Sequence, residues 1–279
     1  MHKFLVFQSD FGLVDGAVSA MYGVSYGVDP ELSIHDLTHD ITPYNIFEAS
    51  YRLFQTVQYW PKGTVFVSVV DPGVGSKRLS VVAKTNAGHY IVTPNNGTLT
   101  HLAQTVGIAE IREISETTNR LQNSELSYTF HGRDVYAYTG ARLASGIITF
   151  EEVGPLLEAG QIVYEPTYET AVTPDAVTGQ IDILDVRFGS LWTSISKEEF
   201  DRLGLAYGDM VKVEIYHSHI MVYSNHVPYA HSFSDVNIGS PIVYMNSVYR
   251  MALAINQGSF SKAYNISVGN GWEITFSKD

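Results

Sequence analysis

Through the first half of the chain, short apolar runs alternate with longer stretches of helical periodicity. Residues 3–8 read as a buried strand, 14–28 as a helix and 32–37 as a second strand. Residues 46–60 form an amphipathic helix that Pro61 stops, and 64–70 a third apolar strand. Two further β-type runs, 79–84 and 89–92, precede the turn Pro94-Asn95-Asn96-Gly97, and helices are predicted over 99–106 and 135–145. Strands interleaved with helices predict an α/β fold, a mostly parallel sheet sandwiched by helices. From about Thr178 the texture changes to short alternating strands between Gly-rich turns (GQIDILDV, DMVKVEIY, SPIVYMN, WEITFS), broken by one short helix over 197–203. That pattern predicts a smaller antiparallel β-barrel-like domain. The stretch 154–175, punctuated by Pro and Gly, is the expected linker, giving an N-terminal α/β domain over 1–165 and a C-terminal β domain over 176–279.

Composition narrows the partners. The 279 residues carry a net charge of -12 with only 17 Lys and Arg, which speaks against nucleic acid as a partner. Cysteine is absent, so disulfides, thiolate metal sites and a covalent Cys mechanism are excluded. The opening MHKFLVFQSDFG turns polar after a short apolar run, and neither a signal peptide nor a membrane span is expected. A soluble cytoplasmic protein with a small-molecule partner is the resulting expectation.

Three segments carry candidate chemistry. The first strand ends in Ser9-Asp10-Phe11-Gly12 with Asp15 just beyond, and acids outside the carboxyl end of a strand suit ribose hydroxyls. Either Asp could equally cap the next helix. No G-x-G-x-x-G follows, which argues against an ordinary dinucleotide site. The third strand runs into Asp71-Pro72-Gly73-Val74-Gly75-Ser76-Lys77-Arg78, which lacks the G-K-[ST] of a phosphate loop. A turn there could return Arg78 to Asp71, as a loop-fixing ion pair or as part of a site. In Thr129-Phe130-His131-Gly132-Arg133-Asp134, His131 is either structural or, beside an acid and an arginine, able to hold and deprotonate a water.

SDFG, VVDPGVGSKR, TPNNGTLT, FHGRDVYA and LDVRFGSLWTSI, in that order along nearly the whole chain, together resemble the S-adenosylmethionine (SAM) hydrolases, also called SAM hydroxide adenosyltransferases, relatives of fluorinase and chlorinase. The resemblance implies hydrolysis of SAM to adenosine and L-methionine by water or hydroxide attack at ribose C5′, without a cofactor. It implies that Asp71, Arg78 and His131 position the nucleophile and that Asp10 binds the ribose hydroxyls. Tyr44 would form an aromatic wall, Asn95 and Asn96 would line the pocket, and Asp185 and Ser247 would hold the methionine amino and carboxylate groups. Ser190 stands where the family usually has Asn after Phe-Gly, so a hydroxyl replaces an amide. The resemblance further implies a homotrimer with active sites at subunit interfaces.

A sulfonium is already a good leaving group, so the reaction needs a placed oxygen nucleophile and exclusion of competing water rather than a metal. His35 and His39 in SIHDLTHDI are four apart, but the flanking pattern is that of a strand running into a loop, and no metal site is expected. The competing readings are a halogenase, whose halide an anionic Asp71 would repel, a metal-dependent nucleoside hydrolase, and a non-catalytic adenosine or SAM binding module.

Overall fold

The structure, a computed structural model, describes residues 3–278. Its contacts cluster into two units that divide between Glu165 and Pro166. In the first unit six strands form one sheet: β1 (Phe4–Ser9), β2 (Ser33–Thr38), β3 (Val65–Val69), β4 (Ser80–Thr85), β5 (Tyr90–Pro94) and β6 (Ile108–Glu113). Their order is β2-β1-β3-β5-β4-β6, with β2, β1, β3 and β5 mutually parallel and β4 antiparallel to both its neighbours.

The apolar runs of β1 and β3 are nearly continuous because both their faces are buried. Leu5, Phe7, Val65 and Val67 face α1 (Ala17–Val28) and a C-terminal helix, meeting Val18, Met21 and Ala141, whereas Val6 and Phe66 face Leu53 of α2 (Ile46–Thr56) and Leu102 of α3 (Thr100–Thr105). Alternate residues of one strand thus serve two cores, as the two-residue side-chain period requires. The C-terminal helix is composite: a π-helical turn, Gly132–Ala137, leads into α4 (Tyr138–Ala144). Gly140 lets α4 lie close on the sheet, since a Cβ there would come within 2.5 Å of Val67 Cγ2.

Two differences from the sequence pattern have local causes. The helix expected from residue 14 begins at Ala17, where Asp15 accepts the Ala17 N–H, so Asp15 serves the helix start. Strand β6 carries little apolar signal because Glu110 and Arg112 alternate along it, and pairing with β4 makes it a strand.

The second unit contains β7 (Ala171–Val172), β8 (Ala176–Leu184), β9 (Leu191–Ser196), α5 (Lys197–Asp201), β10 (Met210–His217), β11 (Ile220–Pro228), β12 (Pro241–Met245), β13 (Arg250–Ile255), α6 (Phe260–Tyr264) and β14 (Trp272–Ser277). The strands pair antiparallel in the order β11-β10-β14-β8-β9-β13-β12, with β7 added to β8. A bridge between Tyr229 and Val243 joins the chain after β11 to β12 and nearly closes the sheet around a core that includes Phe200, Ile215, Leu253 and Phe276. No helix among the described residues is long and apolar enough to cross a membrane.

Candidate active site

Chain order and strand order together place the first cluster of functional side chains. In the first unit β1 is followed by α1 on one face of the sheet, β2 by α2 on the other, and β3 lies on the far side of β1 from β2. The crevice of such a sheet opens where the connections diverge, beyond the carboxyl ends of β1 and β3. Asp10 follows the last residue of β1, and Asp71 lies two residues after the end of β3.

Asp71 and Arg78 meet through the turn between them. Arg78 Nε donates to Asp71 Oδ1 at 2.8 Å and Nη2 donates to Oδ2, a two-pronged geometry that fixes the carboxylate plane. Both side chains are withdrawn from solvent, 5% exposed for Asp71 and 11% for Arg78. Arg78 Nη2 also lies 3.1 Å from His131 Nδ1. A guanidinium can only donate, so Nδ1 accepts and the imidazole proton sits on Nε2. That nitrogen is buried without a hydrogen-bond partner among the described residues. Burial holds the His131 pKa below its ordinary value, with Arg78 and Arg120 pushing the same way against Glu116 and Asp71. Burial also works against the Arg78 charge, but its hydrogen bonds to Asp71 and the surrounding acidic groups outweigh this and hold its pKa above the ordinary value.

Two further residues complete the cluster. Arg78 Nη1 donates to Ser80 Oγ at 2.8 Å, and the Tyr136 hydroxyl lies 3.2 Å from Ser80 Oγ and 3.4 Å from Asp71 Oδ2. The Arg78 guanidinium sits over the Tyr136 ring at 5.5 Å. Burial, then the Asp71 charge, pushes the Tyr136 pKa far up, so the phenol remains a hydrogen-bond donor. An α-helical reading of FHGRDVYA turns residue 136 away from residue 131. The π turn, with its i to i+5 bonding, brings both toward Arg78.

Asp10 belongs to the same end of the sheet. Its Oδ2 accepts the Tyr44 N–H at 2.8 Å, and Tyr44, 73% exposed, is held at φ +68°, an uncommon backbone state for a bulky residue. Asp10, Tyr44, Asp71 and His131 all line one cavity of about 390 Å³, walled on its apolar side by Phe11, Phe130 and Val69. Asn95 and Asn96 bond chiefly to backbone groups, Asn96 to the residue just before Asp71. The Asn95 amide donates to Gln161 O and accepts the Val163 N–H; that of Asn96 donates to Val70 O and accepts from Thr98. Both tie loops of the unit together, and neither lines this cavity.

In the second unit Asp185, Ser190 and Ser247 line a single cavity of about 1040 Å³ with the aromatic rings of Phe188, Trp192, Phe233 and Tyr244. The β8–β9 loop is closed by Asp185 N–H to Ser190 O and Gly189 N–H to Asp185 O. Gly189 is required there: it has φ +68°, and a Cβ would lie 2.0 Å from Ser259 Oγ. Asn246, which the sequence pattern did not single out, accepts the N–H groups of Val248 and Arg250 and so shapes the turn that exposes Ser247. Its Nδ2 is buried, faces no partner among the described residues, and belongs to a residue lining the same cavity. Among the described residues no group of three or more His, Asp or Glu side chains is arranged to hold a metal ion.

Comparison with known proteins gives the same direction as the geometry. Residues 5–154 match the SAM hydroxide adenosyltransferase N-terminal domain and residues 179–273 its C-terminal domain. A fluorinase from Actinopolyspora mzabensis is 28% identical, covering 98% of this chain and 97% of its own. An (R)-S-adenosyl-L-methionine hydrolase from Methanocaldococcus jannaschii is 34% identical over 76% of this chain and 73% of its own. The crystal structure of an uncharacterized conserved protein from Thermotoga maritima superposes with a TM-score of 0.90 at 32% identity, covering 98% of this chain and all of that one. With both family domains matched in order across most of its length, the chain belongs to the SAM hydroxide adenosyltransferase family.

Proposed function

We propose that this protein hydrolyses SAM to adenosine and L-methionine. The observation that carries the reading is the Asp71–Arg78–His131 cluster, two of whose members line the same cavity as Asp10. Asp10 accepts the ribose hydroxyls, and Tyr44 walls the sugar. A water oxygen held by Asp71 attacks C5′; the new O–C5′ bond forms as C5′–S breaks, and the sulfur keeps the electron pair to become the neutral thioether of methionine. The attacking water becomes strongly acidic as it bonds to carbon. The Asp71 carboxylate is therefore a competent acceptor for its proton, which then passes to solvent.

Asp71 Oδ1 accepts one bond from Arg78 and retains a lone pair for that water. His131, already accepting at Nδ1, contributes its Nε2–H rather than acting as the base. An unpaired buried donor costs about 1–3 kcal/mol, and an oxygen in the cavity would relieve it. The acceptor-rich side of Asp71 disfavours a halide in the same place, because a carboxylate repels an anion that cannot donate a proton.

Asp185 and Ser247 take the amino and carboxylate groups of the substrate, with Ser190 beside them. Exposed apolar residues flank both sets, Val74 and Tyr44 lining the first cavity, Val186 next to Asp185 and Tyr249 two residues after Ser247. Such surface suits burial between copies, and a homotrimer with each active site at a subunit interface is the assembly we propose. Incubation with SAM in ¹⁸O-labelled water, with chelator present, should yield adenosine and methionine in equal amounts with the label on the 5′ oxygen. A 5′-halogenated nucleoside in chloride or fluoride buffer, or tight SAM binding with no product, would refute the hydrolase reading.

The state of His131 sets a pH dependence. Protonation at Nδ1 would turn two donors toward each other across 3.1 Å, so the working form is neutral. Because burial lowers the folded pKa, the acid limb of kcat/KM, which reports the free enzyme, should lie below the ordinary imidazole value of about 6.5. The sign for stability agrees: the unfolded chain takes up the proton first, so this contribution is complete above the unfolded pKa and declines as pH falls toward the folded one. An acid limb above the ordinary value, or one unchanged in His131→Ala, would contradict the assignment.

A further inference from the structure

The two imidazoles of SIHDLTHDI turn to different neighbours. His35 Nε2 bonds with Ser33 Oγ at 2.9 Å and its ring packs on Trp60, whereas His39 is buried against the end of β1. His39 Nδ1 lies 2.7 Å from Ser9 Oγ, and Nε2 lies 3.1 Å from Asp36 Oδ1, which also accepts the Tyr22 hydroxyl. Asp36 Oδ1 can only accept, so a neutral His39 carries its proton on Nε2 toward Asp36, and Ser9 Oγ, which also accepts the Phe11 N–H at 3.2 Å, donates its own proton to Nδ1. The opposite tautomer would leave the Ser9 proton buried without a partner and set a nitrogen lone pair against a carboxylate.

Serine, histidine and aspartate in this order have the composition of a nucleophilic triad. Ser9 is fully buried and lines neither cavity, so its oxygen meets no substrate. The line acts on the backbone instead. Ser9 Oγ holds Phe11 N–H, His39 O accepts Gly12 N–H at 2.8 Å, and Ser9 O accepts Ile41 N–H at 3.4 Å. Residues on both sides of Asp10 are thus fastened to the 39–41 segment, and Asp10 itself reaches across to Tyr44 N–H.

We infer that His39 is a positioning residue, relaying Asp36 through Ser9 to set the orientation in which the Asp10 carboxylate meets the two hydroxyls of a ribose. The inference rests on the reading of Asp10 as the ribose ligand. A carboxylate receives a vicinal diol with both oxygens only in a narrow range of angles, and a rotation of the Ser9–Gly12 turn spoils both bonds together.

The test uses His39→Ala, Ser9→Ala, His39→Asn, whose Oδ1 occupies about the place of Nδ1, and Asp36→Ala at the solvent end of the line. In ligand-free protein, the Tyr44 amide proton resonance reports the Asp10 bond. His39→Ala and Ser9→Ala should move it upfield, raise the adenosine Kd and the SAM KM by about tenfold, and leave kcat within about twofold. Asp36→Ala should shift the same quantities less, and His39→Asn should restore them. Asp36 is exposed enough for its variant to fold should the buried ones fail. An unmoved Tyr44 resonance with unchanged Kd in folded His39→Ala, or a fall in kcat at constant KM, overturns the inference. Asp10→Ala serves as the control. If it leaves the adenosine Kd unchanged while the Tyr44 resonance still responds to His39, the ribose reading has failed and the positioning of Asp10 stands.

Discussion

His131→Ala is expected to lower kcat by about 10²–10³-fold while the KM for SAM changes little, the signature of an interaction made chiefly in the transition state. The side chain contributes two things at once. Its Nδ1 accepts from Arg78 and so helps fix the guanidinium that holds Asp71, and its Nε2–H is a buried donor with no partner of its own among the described residues. Neither belongs to the binding of the ribose or of the methionine end, so ground-state affinity should survive. Asp71→Asn should cost at least as much, because the amide offers the attacking water no base. Combining it with His131→Ala should add little, since both serve one oxygen. Adenosine formation in single-turnover experiments, with SAM affinity measured separately, checks all three variants. A double variant with near-normal adenosine production would remove the cluster from the chemistry, and a loss confined to KM would make His131 a binding residue.

Legibility in the sequence followed the range of the interaction. The sheet of the first unit could be read because β1 and β3 are apolar on both faces, a pattern nothing in a loop imitates. Asp71 and Arg78 could be read as a possible pair because a Gly-rich turn separates them by only seven residues. That turn chemistry is local, whereas the meaning of the pair came from the family resemblance. What was hidden depends on geometry that periodicity does not encode. Tyr136 reaches Asp71 only through the π turn, and no residue pattern distinguished that turn from the α-helix expected over 135–145. The Ser9–His39–Asp36 line crosses from β1 to the segment after β2, so its members become neighbours only when the strands pair. Asn95 and Asn96, expected to line the pocket, hold the backbone of residues 161–163 and of Val70 beside Asp71, contacts that form only when distant segments meet. Asn246 beside Ser247 carries no distinguishing signal, because an amide that shapes a turn and an amide that meets a ligand look alike in sequence.

Arg78→Ala is expected to destabilise the fold by about 3–5 kcal/mol, the usual consequence of removing one partner from a buried ion pair. Asp71, whose side chain is 5% exposed, would keep the distant Tyr136 hydroxyl and the water of its cavity but lose the one positive charge bonded to it among the described residues. His131 Nδ1 would lose its donor in the same step, and Ser80 Oγ would be left with the Tyr136 hydroxyl. Replacing both members of the pair leaves no isolated charge, so Asp71→Ala with Arg78→Ala should recover much of the loss despite removing more of the native structure. Urea unfolding of the two single variants and the double variant measures this directly as a coupling energy. Activity should not follow stability: the double variant regains the fold but lacks both the acceptor for the water proton and the charge that fixes it, so its kcat should remain as low as that of either single variant. A cost below about 1 kcal/mol for Arg78→Ala would mean that water screens the pair as it does a surface ion pair. The preorganised, weakly screened ion pair on which the hydrolytic mechanism depends would then be absent.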